Sequence, residues 1–307
     1  MIKAIVHPIS LYIKQIQSFG GFKVTELKNG IYKKLLTAFQ DMLNHDVVMI
    51  PEFVNMARMT PGKLILDDTS NPKYGLDKIA IKYKYLSTGG YHKGYKILLF
   101  LWDTGNIRIP IGFALYYKGS KSINELARKG LSLLRNTYEI KPEAVLADGA
   151  FFTDETAKLI TDYGWVLVMR FNKARTLSKT PIRKLIPRGY GAVTGNLKNG
   201  IKLKTIRRKD RFYTCNRMLW ETKKILKTYA LRWKVEETFR VLKSCIGLNR
   251  CQQHSLESQA IYIFMCLVLF TCAEWIKNDS IYKVLKKGFF EELDVENWLK
   301  NEILAIC

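Results

Sequence analysis

Between Tyr229 and Lys243 the chain reads Tyr229-Ala-Leu-Arg232-Trp-Lys-Val-Glu236-Glu-Thr-Phe-Arg-Val-Leu-Lys243, and two stripes run through it. Leu231, Val235, Phe239 and Leu242 recur at helical spacing and make an apolar stripe that has to dock on a core. Tyr229, Arg232, Glu236 and Lys243 stand at offsets 0, 3, 7 and 14. At about 100° per residue they fall within roughly 60° of arc along about 21 Å of a single helix. We expect that helix over about residues 222–246. It has one face for packing and one for chemistry. A carboxylate flanked by two cations and a phenol suits a metal held against phosphate.

The surface that receives such a helix is legible upstream. Pro61-Gly62 breaks the chain, and Lys63-Leu-Ile-Leu-Asp67 reads as a buried strand ending in acid. Tyr95–Trp102 and Ile109–Tyr117 are two further strands, and Asp103-Thr-Gly-Asn106 supplies the turn residues of a hairpin between them. An amphipathic helix follows over Ser122–Tyr138, with Ser122 as N-cap and Leu126, Leu131, Leu133 and Leu134 inward. Ala144–Ala147 is a short buried strand ending at Asp148-Gly149, Thr153–Tyr163 a helix capped by Thr153, and Trp165–Phe171 a fifth strand. A hairpin followed by β-α units makes a mixed α/β sheet with helices on its faces.

Three regions flank or interrupt this core. Residues 1–60 read as a small, mainly helical region, clearest over Ile31–Leu43. Residues 173–223 are rich in Gly, Pro, Thr and basic residues with short alternating runs, and we read them as a β-rich insertion within a domain spanning 61–280. Residues 281–307 read as a helical tail. The apolar run Ala260–Ala273 falls short of the roughly 20 residues a bilayer needs, so a buried helix over Ser258–Lys277 is expected and no membrane partner. No secretory leader is evident, and none of the six cysteines forms a C-x-x-C pair, which argues against a zinc site and for a reducing, cytoplasmic compartment.

Charge identifies the class of partner. Fifty Lys and Arg against 27 Asp and Glu leave a net charge of +23. An excess of that size predicts a polyanion, most often nucleic acid. In a chain poor in acid, three carboxylate positions stand out: Asp67 or Asp68 at the end of the first strand, Asp148 at the end of the fourth, and Glu236 on the late helix. Each alone has an ordinary explanation, a turn residue or an i±4 salt bridge to Arg232 or Arg240. Together they can converge beyond the strand ends, where open α/β sheets collect their chemistry. A converged trio needs divalent metal to offset its repulsion, and hard oxygen ligands suit Mg²⁺. In the insertion, Phe212, Tyr213 and Trp220 interleave with Arg207, Arg208, Lys209, Arg211 and Arg217. The aromatics either form a small core of their own or stack on bases, while the cations touch phosphate.

These residues resemble a known family. Tyr229-x2-Arg232-x3-Glu236-x6-Lys243 is similar to the YREK signature of IS4-type insertion-sequence transposases, with every spacing intact. Asp67-Asp68-Thr69 and Ala147-Asp148-Gly149-Ala150-Phe151 resemble the segments that carry that family's first and second catalytic aspartates, and His92-Lys-Gly-Tyr-Lys96 also looks like the family core. The resemblance covers roughly residues 60–275 and implies a ribonuclease-H-like fold with a β-rich insertion before the helix of the catalytic Glu. It implies catalysis by Asp67, Asp148 and Glu236, with Asp68 as the alternative to Asp67, and two Mg²⁺ ions (Mn²⁺ substituting) on Asp67 or Asp68, Asp148 and Glu236. Successive strand residues face opposite sides, so only one of the two aspartates reaches the metal.

Tyr229, Arg232 and Lys243 are then expected to hold DNA phosphates, joined by Arg207, Arg208, Lys209, Arg211 and Trp220 of the insertion. The implied partners are double-stranded DNA, both the element's terminal inverted repeats and the target, and a second copy on paired ends. The implied setting is the prokaryotic cytoplasm, at the nucleoid. The 66 residues before Asp67 show no clear helix-turn-helix, unlike the fuller N-terminal DNA-binding part that family members usually carry. Two rival readings are a ribonuclease-H-like nuclease that cuts without joining and an inactive, domesticated DNA-binding protein.

Overall fold

The computed structural model describes residues 46–73, 79–84, 90–251 and 255–276. The helix expected at Ile31–Leu43 and the tail at 281–307 lie outside the described residues. The chain divides into two compact units, one of Asp46–Glu237 and one of Met1–His45 with Thr238–Cys307.

The first unit is built on one mixed sheet. Its strands are β1 (Val47–Met49), β2 (Lys63–Pro72), β3 (Ile81–Lys84), β4 (Tyr91–Asp103), β5 (Arg108–Tyr116), β6 (Val145–Ala147) and β7 (Leu167–Phe171), followed by β10 (Tyr190–Asn196), β11 (Lys202–Arg208) and β12 (Arg211–Cys215). The order across the sheet is β1-β5-β4-β2-β6-β7-β12-β11-β10, with β3 on β4. A separate small ribbon pairs β8 (Thr176–Leu177) with β9 (Thr180–Pro181). Helices α1 (Pro51–Met59), α2 (Ile123–Asn136), α3 (Asp154–Asp162) and α4 (Ile182–Leu185) are interspersed with the strands.

Three antiparallel strands, β5-β4-β2, continue into the parallel pairs β2-β6 and β6-β7. This is the mixed sheet that the succession of strands and helices implied, and the ribonuclease-H-like arrangement that the family resemblance implied. β4 and β5 are buried along most of their length. That burial explains why their sequences read as continuous apolar runs and do not alternate.

Local signals start the helices. Ser122 Oγ accepts the Glu125 amide at 3.3 Å while Glu125 Oε2 accepts the Ser122 amide at 2.9 Å, a reciprocal cap that opens α2. Thr153 Oγ1 accepts the Thr156 amide at 3.1 Å and opens α3, with Asp154 and Glu155 complementing the helix dipole. From α2, Leu126, Leu131 and Leu134 enter a core shared with Leu64 and Leu66 of β2, Leu98 and Phe100 of β4 and Val145 of β6, and Leu133 packs at its margin.

Three expectations are corrected and a fourth is made specific. β2 does not end at its acid: it runs on to Pro72 because β4 keeps pairing with it as far as Gly94. Residues 47–49, inside the stretch read as helical, form an edge strand on β5. Residues 173–223 are β-rich as expected, and three of their strands extend the main sheet, β12 pairing with β7. The late helix is interrupted, giving α5 (Thr222–Ala230), α6 (Trp233–Val241) and a π-helical turn at Leu242–Ile246.

The second unit holds that π-helical turn, ended by Gly247 in the left-handed conformation, and helix α7 (Leu256–Ile276). The apolar helix is longer than the run Ala260–Ala273 suggested. Over Leu256–Trp275 it is 20 residues long and apolar enough to cross a membrane by length and composition, yet 78% of its most apolar window is buried within the protein. That burial is the character of a core helix.

Helix α2 comes unusually close to the sheet at Gly130, where an added Cβ would stand 2.1 Å from the Phe100 ring. Phe100 is fully buried and has little room to move. Helix propensity alone favours Gly→Ala by about 1 kcal/mol, whereas overpacking a core costs roughly 1–3 kcal/mol. We expect Gly130→Ala to destabilise the protein in urea denaturation by up to about 2 kcal/mol. A stabilised variant contradicts this packing.

Candidate functional site

Sheet register brings two acids side by side. β2 and β6 run parallel with Leu66 opposite Ala147, and Asp67 and Asp148 are the next residue on each strand. β6 ends at Ala147, so Asp67 stands where β2 loses its neighbour on that side while keeping β4 on the other. The two carboxylates are close enough for each charge to raise the other's cost, and Asp148 is among the groups that push the Asp67 carboxyl upward.

A third acid reaches the same place through Arg232. The chain between α5 and α6 switches from i−4 to i−3 hydrogen bonding: the Arg232 amide donates to Tyr229 O at 2.9 Å and the Val235 amide to Arg232 O at 3.1 Å. This tight turn aims the guanidinium at the sheet. Arg232 Nη1 lies 2.6 Å from Asp67 Oδ2, and Nη2 is bonded to Glu236 Oε1. One guanidinium thus joins the acid of β2 to the acid of α6. Tyr229 completes the group, its ring 5.8 Å from the Arg232 guanidinium and in edge contact with Tyr213 of β12 at 4.7 Å.

Tyr229, Arg232 and Glu236 therefore meet as the expected stripe required, although the helix breaks between them. Lys243 belongs to the second unit, in the π-helical turn, where burial holds its ammonium below the usual range.

The two adjacent aspartates separate cleanly. Asp67 faces Arg232, whereas Asp68 points to the other side of the sheet and pairs with Lys96 at 2.9 Å. Exposure is graded across the site: 15% for the Asp67 side chain, 14% for Arg232, 34% for Glu236 and 38% for Asp148. Asp148 has Arg170 at 3.9 Å.

Burial sets the electrostatics. It pushes the Asp67 carboxyl up to about 7, outweighing the opposing pull of Arg232 and of the Asp68 amide that Asp67 Oδ1 accepts at 2.9 Å. It also pushes the Tyr229 phenol up to about 12 despite the neighbouring guanidinium. Burial alone would lower Arg232, but Tyr229, Asp67 and Glu236 more than reverse it, so the guanidinium stays charged.

Asp67, Asp148 and Glu236 offer the hard oxygen atoms a divalent cation prefers. Among the described residues no three His, Cys, Asp or Glu side chains already stand as a metal cluster. The acids are spaced around a guanidinium instead.

The insertion's basic residues fall into two groups. Arg208, Lys209 and Arg211 are exposed at the tip of the β11–β12 hairpin, whose Lys209 takes a left-handed conformation. Arg207 is turned inward: it donates to Lys209 O at 2.7 Å and to Ile186 O at 2.8 Å, and stacks on Phe212 at 5.2 Å. Phe212 and Tyr213 are buried, but not in a small core of their own: Phe212 joins the main core and Tyr213 meets Tyr229. Trp220 is half-buried beneath Lys224, whose Nζ lies 4.4 Å from the ring centre.

Several residues around the site escaped the sequence reading. Arg175 donates to Phe152 O at 2.5 Å, is bonded to Asp154, and so ties down the segment after Asp148. Asp103 was read only for its turn chemistry, and its Oδ1 does accept the Gly105 amide at 3.1 Å. The same oxygen also pairs with Lys234 at 2.8 Å. The one available signal was that Lys234 and Glu237 sit three residues apart within the YREK spacing.

Asp67 of β2 thus has Asp148, just past the parallel strand β6, beside it, and Arg232 joins it to Glu236 of α6. The chain belongs to the transposase DDE domain family, whose model matches residues 58–272. Among solved structures it is similar to a piggyBac transposase synaptic complex with hairpin DNA, at 12% identity and a TM-score of 0.53, over 99% of this chain and 70% of that one. A likeness at that identity speaks for the fold. A search of curated proteins finds no match.

The raised Asp67 carboxyl has a consequence for metal-free protein. Between pH of about 4 and 7 the folded state keeps a proton that the unfolded chain has lost, so stability falls as pH rises and levels off above 7. Asp67→Asn should remove that part of the slope, roughly 2–4 kcal/mol over the window. Thermal unfolding in EDTA from pH 4 to 8.5 measures it; identical slopes for the two proteins contradict the assignment.

Proposed function

We propose that the chain is an IS4-type transposase of the YREK kind, which cuts and joins the ends of its own insertion sequence at Asp67, Asp148 and Glu236. The observation that carries this reading is the double contact of Arg232 with Asp67 and Glu236, beside Asp148. The YREK spacing and the transposase family of the chain support the same reading. A ribonuclease-H-like nuclease needs the acids but no such stripe.

The donor set fits hard divalent cations: three carboxylates on separate elements, with a spot between two of them already taken by positive charge. Two Mg²⁺ ions on Asp67, Asp148 and Glu236, or Mn²⁺ in their place, would activate the attacking water or 3′-hydroxyl and stabilise the leaving oxygen. Asp68 is the alternative ligand, but it is engaged by Lys96 across the sheet. Arg232, Tyr229 and Lys243 hold phosphates next to the reacting bond, the guanidinium through its planar fork and the ammonium as a point charge. In that role Arg232 exchanges a carboxylate partner for a phosphate.

Arg208, Lys209 and Arg211 contact the DNA backbone from the hairpin tip, and so set affinity and not sequence. Arg207 shapes the hairpin that presents them, and Trp220 adds a DNA contact at the other end of that hairpin, where Lys204 donates to its carbonyl at 2.8 Å. The partners are double-stranded DNA, both the inverted repeats and the target, and a second copy of the chain on the paired ends. The piggyBac neighbour is a synaptic complex with hairpin DNA, which supports the DNA partner. The setting is the prokaryotic cytoplasm at the nucleoid. Functionally the chain divides into a small N-terminal region (1–60), a catalytic domain (61–280, with the insertion at 173–223) and a tail (281–307).

The test uses DNA carrying the flanks of the native gene, with Mg²⁺ or Mn²⁺. Wild type should cut and join. Glu236→Gln should lose both by at least about 100-fold while still binding DNA. Strand transfer by Glu236→Gln sinks the assignment, and cleavage without joining by wild type favours a nuclease.

Lys243→Ala separates phosphate binding from metal binding. Its complex with the element ends should weaken about tenfold, or about 1.4 kcal/mol, with Mn²⁺ affinity unchanged. A defect in Mn²⁺ binding alone overturns the phosphate role.

A further inference from the structure

We infer that Asp103 and Arg108 are positioning residues for Glu236: they clamp helix α6 to the β4–β5 hairpin through Lys234 and Glu237. The inference rests on the proposed role of Glu236 as a ligand.

Asp103 and Arg108 face each other at the turn end of the hairpin, the last residue of β4 against the first of β5. Each takes an opposite charge from α6. Lys234 Nζ lies 2.8 Å from Asp103 Oδ1 and donates to Gly105 O at 3.0 Å. Glu237 Oε2 lies 3.4 Å from Arg108 Nη1. Lys234 and Glu237 are three residues apart and share one stripe of α6, whereas Glu236 lies on another and is bonded to Arg232 in the turn before the helix. The helix that carries Glu236 is therefore held on one stripe at the hairpin and on the other at Asp67.

The polarity of the two pairs is what fixes register. Sliding α6 by one turn, about 5.4 Å, unpairs both contacts. Exchanging the partners sets Lys234 against Arg108 and Glu237 against Asp103, like charge against like. Asp103 is 1% exposed, so losing Lys234 leaves a buried carboxylate without its counter-charge. Nothing in the YREK spacing requires these four residues. Their arrangement is explained by the need to hold Glu236 at a set distance from the acids of β2 and β6.

The experiment compares full-length wild type, Lys234→Met/Glu237→Gln, Arg108→Glu and the charge swap Arg108→Glu/Glu237→Arg. Mn²⁺ affinity is read by electron paramagnetic resonance, and amide exchange over 233–241 by mass spectrometry. Far-UV circular dichroism monitors folding. Lys234→Met/Glu237→Gln should fold, bind Mn²⁺ about 10- to 100-fold more weakly, and exchange faster in α6. Arg108→Glu should be impaired in the same way and the charge swap should recover.

Wild-type Mn²⁺ affinity and exchange in Lys234→Met/Glu237→Gln overturn the clamp, as does a swap no better than Arg108→Glu alone. Should Lys234→Met/Glu237→Gln fail to fold, recovery or non-recovery by the swap decides. Equal Mn²⁺ binding by wild type and Glu236→Gln would instead refute the ligand role of Glu236. The exchange data would then still judge the clamp, faster α6 exchange supporting it and unchanged exchange overturning it.

Discussion

A single guanidinium sets the terms of this site. Asp67 is largely buried, stands next to Asp148 on a parallel neighbour, and is approached by Glu236 from a helix. Burial, Asp68 and Asp148 raise the cost of the Asp67 charge and push its carboxyl up to about 7. Arg232 opposes this and bonds Asp67 and Glu236 at once. Its fixed, planar fork reaches both in a way that the rotating ammonium of a lysine cannot. The tight turn between α5 and α6, the Tyr229 ring beside the guanidinium and the Tyr213 edge contact all follow from where that fork has to be.

Much of the scaffold is written locally. The apolar runs of β4, β5 and β7, the Ser122 and Thr153 caps and the Asp103 turn are signals a few residues long, and the structure uses each where the sequence places it. The carboxylates at the ends of β6 and beside α6 were visible for the same reason. What stayed hidden depends on partners distant in sequence. β2 continues past Asp67 because β4 is long enough to pair with it. The strands of 190–215 join the main sheet because β12 finds β7. Neither partner can be read from the strand itself. The break at Leu231–Arg232 has no glycine or proline to announce it. It follows from tertiary contacts of Arg232, which exceed what helix propensity holds.

The choice between Asp67 and Asp68 shows the same limit at single-residue scale. Period-2 geometry says that the two point apart, but not which side meets Arg232. The answer lies in the cross-strand neighbours: Asp68 shares its face with Lys96 of β4, and the opposite face receives Arg232. One cation on each side of the sheet separates two adjacent acids with identical side chains.

The sheet and the helix hold their acids by different means. Asp67 and Asp148 are placed by the backbone ladder, whose parallel register sets Leu66 opposite Ala147 and so brings the two residues that follow side by side. Glu236 has no such ladder. Packing of Val235 seats α6 but tolerates sliding, because apolar contact is non-directional. Directional restraint has to come from charge, and α6 carries it on both sides of Glu236, through Arg232 to Asp67 and through Lys234 and Glu237 to Asp103 and Arg108. Ion pairs of this kind add little net stability, because desolvation offsets most of their attraction. They are suited to a helix whose position matters more than the energy with which it is held.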